Sequence, residues 1–72
     1  MAQYRSYIQS ESDYKDHGFK NATRQIIKER YLEQYIRGIE ELQEDRRNKG
    51  MYPVCYKIIN IDTKETIYTL NI

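Results

Sequence analysis

Residues 21–50 read NATRQIIKERYLEQYIRGIEELQEDRRNKG, and this stretch decides the fold class. Its apolar residues recur at spacings of three and four, which is the pattern of an amphipathic helix. Asn21 or Thr23 is a favoured helix cap, and Gly50 after several basic residues is a typical stop signal. We therefore predict one long helix over residues 20–50, with the rest of the chain folded around it.

The apolar residues of this predicted helix cover a wide arc. At about 100° per residue, they gather on one side: Ile27, Tyr31, Leu32, Tyr35, Ile36, Ile39 and Leu42. On the other side, Glu33 with Arg37 and Asp45 with Lys49 have the spacing of helical ion pairs. The arc is wider than a small sheet needs, so we predict that part of it contacts another chain. The predicted interface is Tyr35, Gly38, Ile39 and Leu42.

The end of the chain predicts an antiparallel β-hairpin. Residues 51–61 and 66–72 are rich in β-branched and aromatic side chains, and Asp62 favours a turn between them. If Ile61 pairs with Thr66, one face of the hairpin holds Cys55, Ile59, Ile61, Tyr68, Leu70 and Ile72. The pattern does not indicate which face the helix covers.

The start of the chain is less regular. Tyrosine and isoleucine favour a short strand over residues 2–9, with a flexible arm as the alternative. Ser10 and Gly18 bracket an acidic connection that forms a loop or one to two helical turns, and Phe19 anchors it to the core. The expected fold is therefore a single α+β domain over residues 1–72. One long central helix packs on a C-terminal antiparallel β-hairpin, and the first segment is the candidate third strand.

The length of the chain predicts a marginal core. A domain of 72 residues buries only about 60% of its unfolded surface, and disulfides, metals or a second subunit usually supply the missing stability. The single cysteine, Cys55, excludes an internal disulfide, and the single histidine, His17, leaves too few ligands for a Cys/His zinc site. We therefore expect no cofactor and no metal, and we predict a homo-oligomer, most simply a homodimer.

The charge of the chain is nearly balanced, with 12 basic and 11 acidic residues. A general nucleic-acid binder usually has a clear basic excess, so the overall charge does not favour that function. The chain also lacks the apolar run of a signal peptide and the roughly 20 apolar residues of a membrane span. We expect a cytoplasmic protein that does not associate with membranes.

Arg24 and Lys28 form the one cluster whose charge does not suit its predicted position. They extend the apolar stripe toward the start of the predicted helix, where the helix dipole disfavours cations by about 0.3–1 kcal/mol. One interpretation is a site for phosphate or for a partner's carboxylates, formed by Lys20, Arg24, Lys28 and Tyr31. The other is that both side chains lie along the edge of the core with their charged groups in solvent.

The sequence contains no catalytic motif. Cys55 and His17 lack a third orienting group, a glycine-rich phosphate loop is absent, and a chain this short has little room to enclose a pocket. The eight tyrosines fit core or interface packing better than a platform for stacked bases. We therefore predict a protein without enzymatic activity.

The composition also suggests an origin. Ile, Lys, Asn and Tyr are abundant and Ala, Gly and Pro are scarce, as in AT-rich coding sequences. In this composition the chain resembles the small open reading frames of bacterial phages and mobile elements, but it shares no motif with them. We expect a protein-interaction module: a small regulator or inhibitor that binds and occludes a host protein. The alternatives are a protein that binds nucleic acid or a nucleotide through the basic helix start, and a structural subunit of a larger assembly.

Overall fold

The computed structural model describes residues 2–51 and 53–72. The chain forms a four-stranded antiparallel sheet with the strand order β2-β1-β3-β4. The elements in chain order are β1 (Gln3–Ser10), α1 (Glu11–His17), β2 (Thr23–Lys28), a 3₁₀ turn (Glu29–Tyr31), α2 (Leu32–Asn48), β3 (Val54–Asn60) and β4 (Thr66–Leu70). The predicted α+β class, the presence of a long helix and the C-terminal hairpin are confirmed, but the sheet has four strands where at most three were expected. Met1 and Tyr52 lie outside the described residues, and Tyr52 falls within the predicted hairpin strand over residues 51–61.

The largest difference from the sequence prediction lies at residues 23–28. They form the edge strand β2, so the helix predicted over residues 20–50 begins only at Leu32. β2 pairs with β1 without a break, from Gln3 opposite Lys28 to Ile8 opposite Thr23. The helical spacing was misleading because a buried Ile27 fits the start of a helical stripe as well as the inner side of a strand, and pairing with β1 decides between them. The helix-dipole argument therefore does not apply to Arg24 and Lys28.

α1 turns the chain between β1 and β2. The Ser10 hydroxyl accepts the backbone N–H of Asp13 at 3.4 Å, which caps the start of the helix. Gly18 ends the helix with a φ of 62°, a value that favours glycine. Both end signals are confirmed, and the first segment is a strand rather than an arm.

The core lies between α2 and one face of the sheet. Its members come from all four strands and from the inner side of α2: Ile27, Ile39, Tyr56 and Ile58, with Tyr4, Ile8, Leu32, Tyr35, Ile36, Tyr68 and Leu70 packed against them. Gln43 is also buried, and its side-chain oxygen accepts the backbone N–H of Val54 at 3.2 Å. This bond ties the last turns of α2 to the start of β3.

The hairpin has a different register from the expected one. Ile59 rather than Ile61 pairs with Thr66, because an irregularity in the pairing shifts β4 against β3. Tyr68 is therefore opposite Ile58 and faces α2. The two faces predicted for the hairpin are exchanged for β4, and a bulge of this kind leaves no clear signal in the sequence.

Candidate functional site

The sheet face opposite α2, which we call the open face, contains all the charge of the four strands. Every charged residue in these strands is basic: Arg5, Arg24, Lys28 and Lys57. Of the 11 acidic residues in the chain, the described strands contain none. The fold thus concentrates positive charge on one side of a molecule whose net charge is only +1.

Strand alternation and register place these cations together. Directly paired residues share a face of the sheet. The rows across the open face are Arg24–Tyr7–Lys57, Ile26–Arg5–Ile59 and Lys28–Gln3. Each cation is therefore flanked by aromatic, aliphatic or neutral polar side chains and is never directly opposite another cation. This arrangement limits like-charge repulsion within the sheet.

Tyr7 fixes two of the cations. The Arg24 guanidinium carbon is 5.5 Å from the centroid of the Tyr7 ring, and the Lys57 ammonium nitrogen is 5.1 Å from it. The Lys57 nitrogen is also 5.0 Å from the centroid of Phe19, which packs against Tyr14 at 4.8 Å between centroids. Contacts of this kind contribute about 0.5–1 kcal/mol each where solvent still reaches them. The rings hold both charged groups over one end of the open face without an acidic partner among the described residues.

A groove of about 360 Å³ runs along β2 where it meets the 3₁₀ turn. Ile26, Lys28, Tyr31 and Tyr35 are among the residues that line it. Ile26 is 50% exposed and Tyr31 is 48% exposed, and the Arg30 guanidinium carbon lies 4.8 Å from the Tyr31 ring centroid. The groove joins exposed apolar surface to the cationic side of β2.

The structure places three of the predicted anion-site residues on or beside β2, with Arg24 at one end of the strand and Lys28 at the other. Arg24 and Lys28 lie on the open face, and Tyr31 lines the groove beside Lys28. Lys20 is exposed in the connection between α1 and β2. An anion site at these residues would therefore be formed by a strand and its flanks, and not by the amide groups of a helix end.

Sequence reasoning missed Arg5 and Lys57. Both lie in segments that were predicted as strands, and Arg5 alternates with Tyr7 as residues on one face must. Their relation to Arg24 became visible only once residues 23–28 were placed in the sheet. The sequence alone therefore had no signal that joins these cations.

The predicted interface on α2 divides between two environments. Tyr35 and Ile39 pack in the core against the sheet. Leu42 is 42% exposed, and a Cβ atom added to the exposed Gly38 would meet nothing within 4 Å. Contact with a second chain through Gly38 and Leu42 stays a prediction.

The outer side of α2 differs in charge from the open face. The helix contains five acidic and three basic residues, a net charge of −2. Both predicted ion pairs are present, Glu33 with Arg37 and Asp45 with Lys49, each at 3.1 Å. They are exposed and stabilise the helix by only a few tenths of a kcal/mol. The strands that form the open face are therefore basic, whereas α2 on the other side of the sheet is acidic.

Two buried side chains of β3, Tyr56 and Cys55, have ionisable groups with raised pKa values. Burial is the main cause that raises the pKa of the Tyr56 hydroxyl far above its ordinary value, and the neighbouring Ser6 hydroxyl partly offsets this rise. The Tyr56 hydroxyl has no hydrogen-bond partner of standard geometry among the described residues. Burial is also the main cause that raises the pKa of the Cys55 thiol, which contacts the Asn71 carbonyl oxygen at 3.3 Å. Cys55 is thus a buried cysteine within β3.

Comparison of the chain with models of known protein families, with curated proteins and with solved structures finds no match. Within residues 2–51 and 53–72, no group of three or more His, Cys, Asp or Glu side chains is placed to hold a metal ion. Over the same residues, no helix is both long and apolar enough to span a membrane. The function is therefore inferred from the geometry of the chain itself.

Proposed function

We propose that this chain is a non-enzymatic protein-interaction module whose open face binds an acidic surface of a partner protein. The observation behind this proposal is that the strands place four cations and no acid on the sheet face opposite α2. The opposite side, formed by α2, has a net charge of −2. An acidic partner would be attracted to one side and repelled by the other, which orients it during association.

The chemistry of the open face suits a protein partner. Ile26 and Ile59 lie between the cations and supply apolar contact area. Arg5 and Arg24 each offer a planar fork of N–H donors that can bind a carboxylate through two hydrogen bonds. Arginine and aromatic residues are enriched in protein interfaces, where they combine with apolar surface.

The biological form of this proposal is a small regulator or inhibitor, in keeping with the phage-like texture of the sequence. By covering an acidic functional surface of a host protein, the open face would block access to that surface. The exposed Gly38 and Leu42 on α2 leave room for the proposed homodimer on the opposite side. Dimerisation there would present two open faces pointing outward.

A nucleic acid is the second candidate ligand, because cations beside Tyr7 and Phe19 resemble the mixed aromatic and basic platforms that bind single strands. It ranks second because Lys57 already lies over both rings and Arg24 also lies over Tyr7. Bases would have to displace these groups in order to stack.

The double substitution Arg24→Glu with Lys28→Glu tests the proposal. Both residues are exposed on the edge strand, so the fold is expected to persist. Reversing two interface charges leaves like charges facing each other, and we expect capture of a partner from nuclease-treated bacterial lysate to fall about tenfold or more. Quantitative mass spectrometry of the captured proteins provides the measurement.

The matched control is Arg37→Glu with Lys64→Glu, which changes the net charge equally but alters α2 and the β3–β4 turn. We expect this control to capture the same partner as the wild type. If both variants captured less partner by the same factor, the open face would be refuted as the binding surface. Capture that disappears on nuclease treatment would instead assign the site to nucleic acid.

A further inference from the structure

We infer that β2 accepts an extended acidic segment of the partner protein as an additional strand of the sheet. This inference rests on the proposed function and specifies how the partner docks. β2 is an edge strand, with β1 as its neighbour in the described sheet. All of its residues except Ile27 are exposed.

The hydrogen bonds of β1 show which backbone groups of β2 are free. Successive residues of an inner strand direct their N–H and C=O groups alternately to the two neighbouring strands. The Gln3 carbonyl accepts the N–H of Ile61 at 3.0 Å, and the N–H of Glu11 reaches the Pro53 carbonyl at 3.3 Å. The odd-numbered residues of β1 therefore direct their backbone N–H and C=O groups to β3, and the even-numbered residues direct theirs to β2.

The same alternation applies to β2. The even-numbered residues of β1 pair with Thr23, Gln25 and Ile27, whose backbone groups are thus used within the sheet. Arg24, Ile26 and Lys28 consequently direct their N–H and C=O groups to the free edge. Their side chains also lie on the open face. The same three residues can therefore pair with an added strand through their backbone and contact its side chains.

These side chains define the chemistry of the added strand. In an antiparallel pair, residues directly opposite place their side chains next to each other on one face. Acidic residues complement Arg24 and Lys28, and an apolar residue complements the half-exposed Ile26. The intervening residues would face the groove lined by Tyr31 and Tyr35, which favours apolar side chains. The matching segment reads acidic, apolar, apolar, apolar, acidic.

Two competing arrangements are disfavoured. If two β2 strands paired antiparallel in full overlap, Arg24 of each copy would lie opposite Lys28 of the other, and such like-charge pairs oppose association. The other edge strand, β4, has five residues and an irregularity in its pairing. Short, bulged edges resist strand addition. The charge on β2 thus selects against a second copy and for an acidic strand.

The test uses a fluorescein-labelled peptide of sequence STEVIVETS and two N-methylated forms of it. Methylation of both glutamates and the isoleucine removes the N–H donors that face β2. Methylation of both valines removes N–H donors that point away from it. The measurement is fluorescence anisotropy at low salt. Relative to the unmethylated peptide, the first form should bind at least tenfold more weakly, and the affinity of the second form should fall by less than threefold. Binding should also protect the amides of Arg24, Ile26 and Lys28 from hydrogen exchange.

Exchanging the charges between protein and peptide provides a second, independent test. The Arg24→Glu, Lys28→Glu variant should lose the STEVIVETS peptide and gain the STKVIVKTS peptide, because only the sign of the paired charges has changed. Failure of this exchange, or equal binding of the two methylated forms, would overturn strand addition.

The outcomes separate this inference from the proposed function. If both methylated forms bind equally but still depend on Arg24 and Lys28, the open face binds by charge alone and the proposed function stands. If the peptide does not bind at all, strand addition is refuted, and the lysate experiment decides the proposed function. A dimer that already protects the Ile26 amide from exchange would assign this edge to a second copy.

Discussion

We expect Ile58→Ala to lower the free energy of unfolding by about 2–5 kcal/mol, the range for removing a large aliphatic side chain from a packed core. Ile58 is 0% exposed in an inner strand and packs with Ile27, Ile39 and Tyr56. At about 0.05–0.15 kcal/mol per residue, a chain of 72 residues has a total stability of about 4–11 kcal/mol. One substitution would thus remove a large part of it.

Ile26→Ala is the matched control, because Ile26 lies in a strand on the open face and is 50% exposed. We expect Ile26→Ala to lower the free energy of unfolding by no more than about 1 kcal/mol, the range of exposed strand positions. Urea denaturation of both variants gives the comparison. Equal losses would mean that α2 does not cover the face that contains Ile58.

We also expect alkaline pH to destabilise the protein through Tyr56. Burial raises the pKa of its hydroxyl in the folded state, whereas an unfolded tyrosine titrates near pH 10. Below about pH 10 the Tyr56 hydroxyl is protonated in both states, and the folded protein keeps its full stability. Above that pH the stability falls, because the unfolded chain releases the Tyr56 proton at a lower pH than the folded chain does. The expected loss approaches about 1.4 kcal/mol per pH unit above pH 10 from this one group.

The comparison of wild type with Tyr56→Phe isolates this effect. The Tyr56 hydroxyl is buried without a hydrogen-bond partner among the described residues, so its removal should cost little at pH 7. Denaturation curves between pH 8 and 11.5 should show a shallower alkaline decline for Tyr56→Phe. Parallel declines would contradict the assignment. Tyr68, whose pKa is raised by burial and by Glu40, contributes a loss of the same sign that remains in the variant.

Much of the fold could be predicted where local signals and tertiary packing agree. The helical period holds over α2, and its Glu33–Arg37 and Asp45–Lys49 pairs are present as expected. The capping residue Ser10 and the terminating Gly18 also mark α1 correctly. In each case, residues within about one helical turn determine the structure.

The prediction failed where distant pairing decides. Residues 23–28 continue the apolar period of α2, and only their pairing with β1 makes them a strand. The bulge that shifts Thr66 to Ile59 is likewise set by contacts across the sheet. Neither feature follows from spacing alone, because both depend on residues far away in the chain.

The candidate site was hidden for the same reason. A net charge of +1 gave no support for an anionic ligand. Arg5, Arg24 and Lys57 belong to different strands, and their common face appears only when the sheet is assembled. The helix-dipole argument singled out Arg24 and Lys28 for a reason that does not hold, because both lie in an edge strand and not at a helix end. A binding site at these residues stays a prediction.

The most direct test of the open face is a ¹⁵N–¹H NMR titration of the labelled protein with poly-glutamate. We expect the largest shift changes at the backbone and side-chain signals of Arg5, Arg24, Lys28 and Lys57 and their neighbours, with reversal at high salt. Three exposed basic residues away from the open face, Arg37, Lys49 and Lys64, should change little. Shift changes spread evenly over all exposed cations, or centred on α2, would contradict a binding site on the open face.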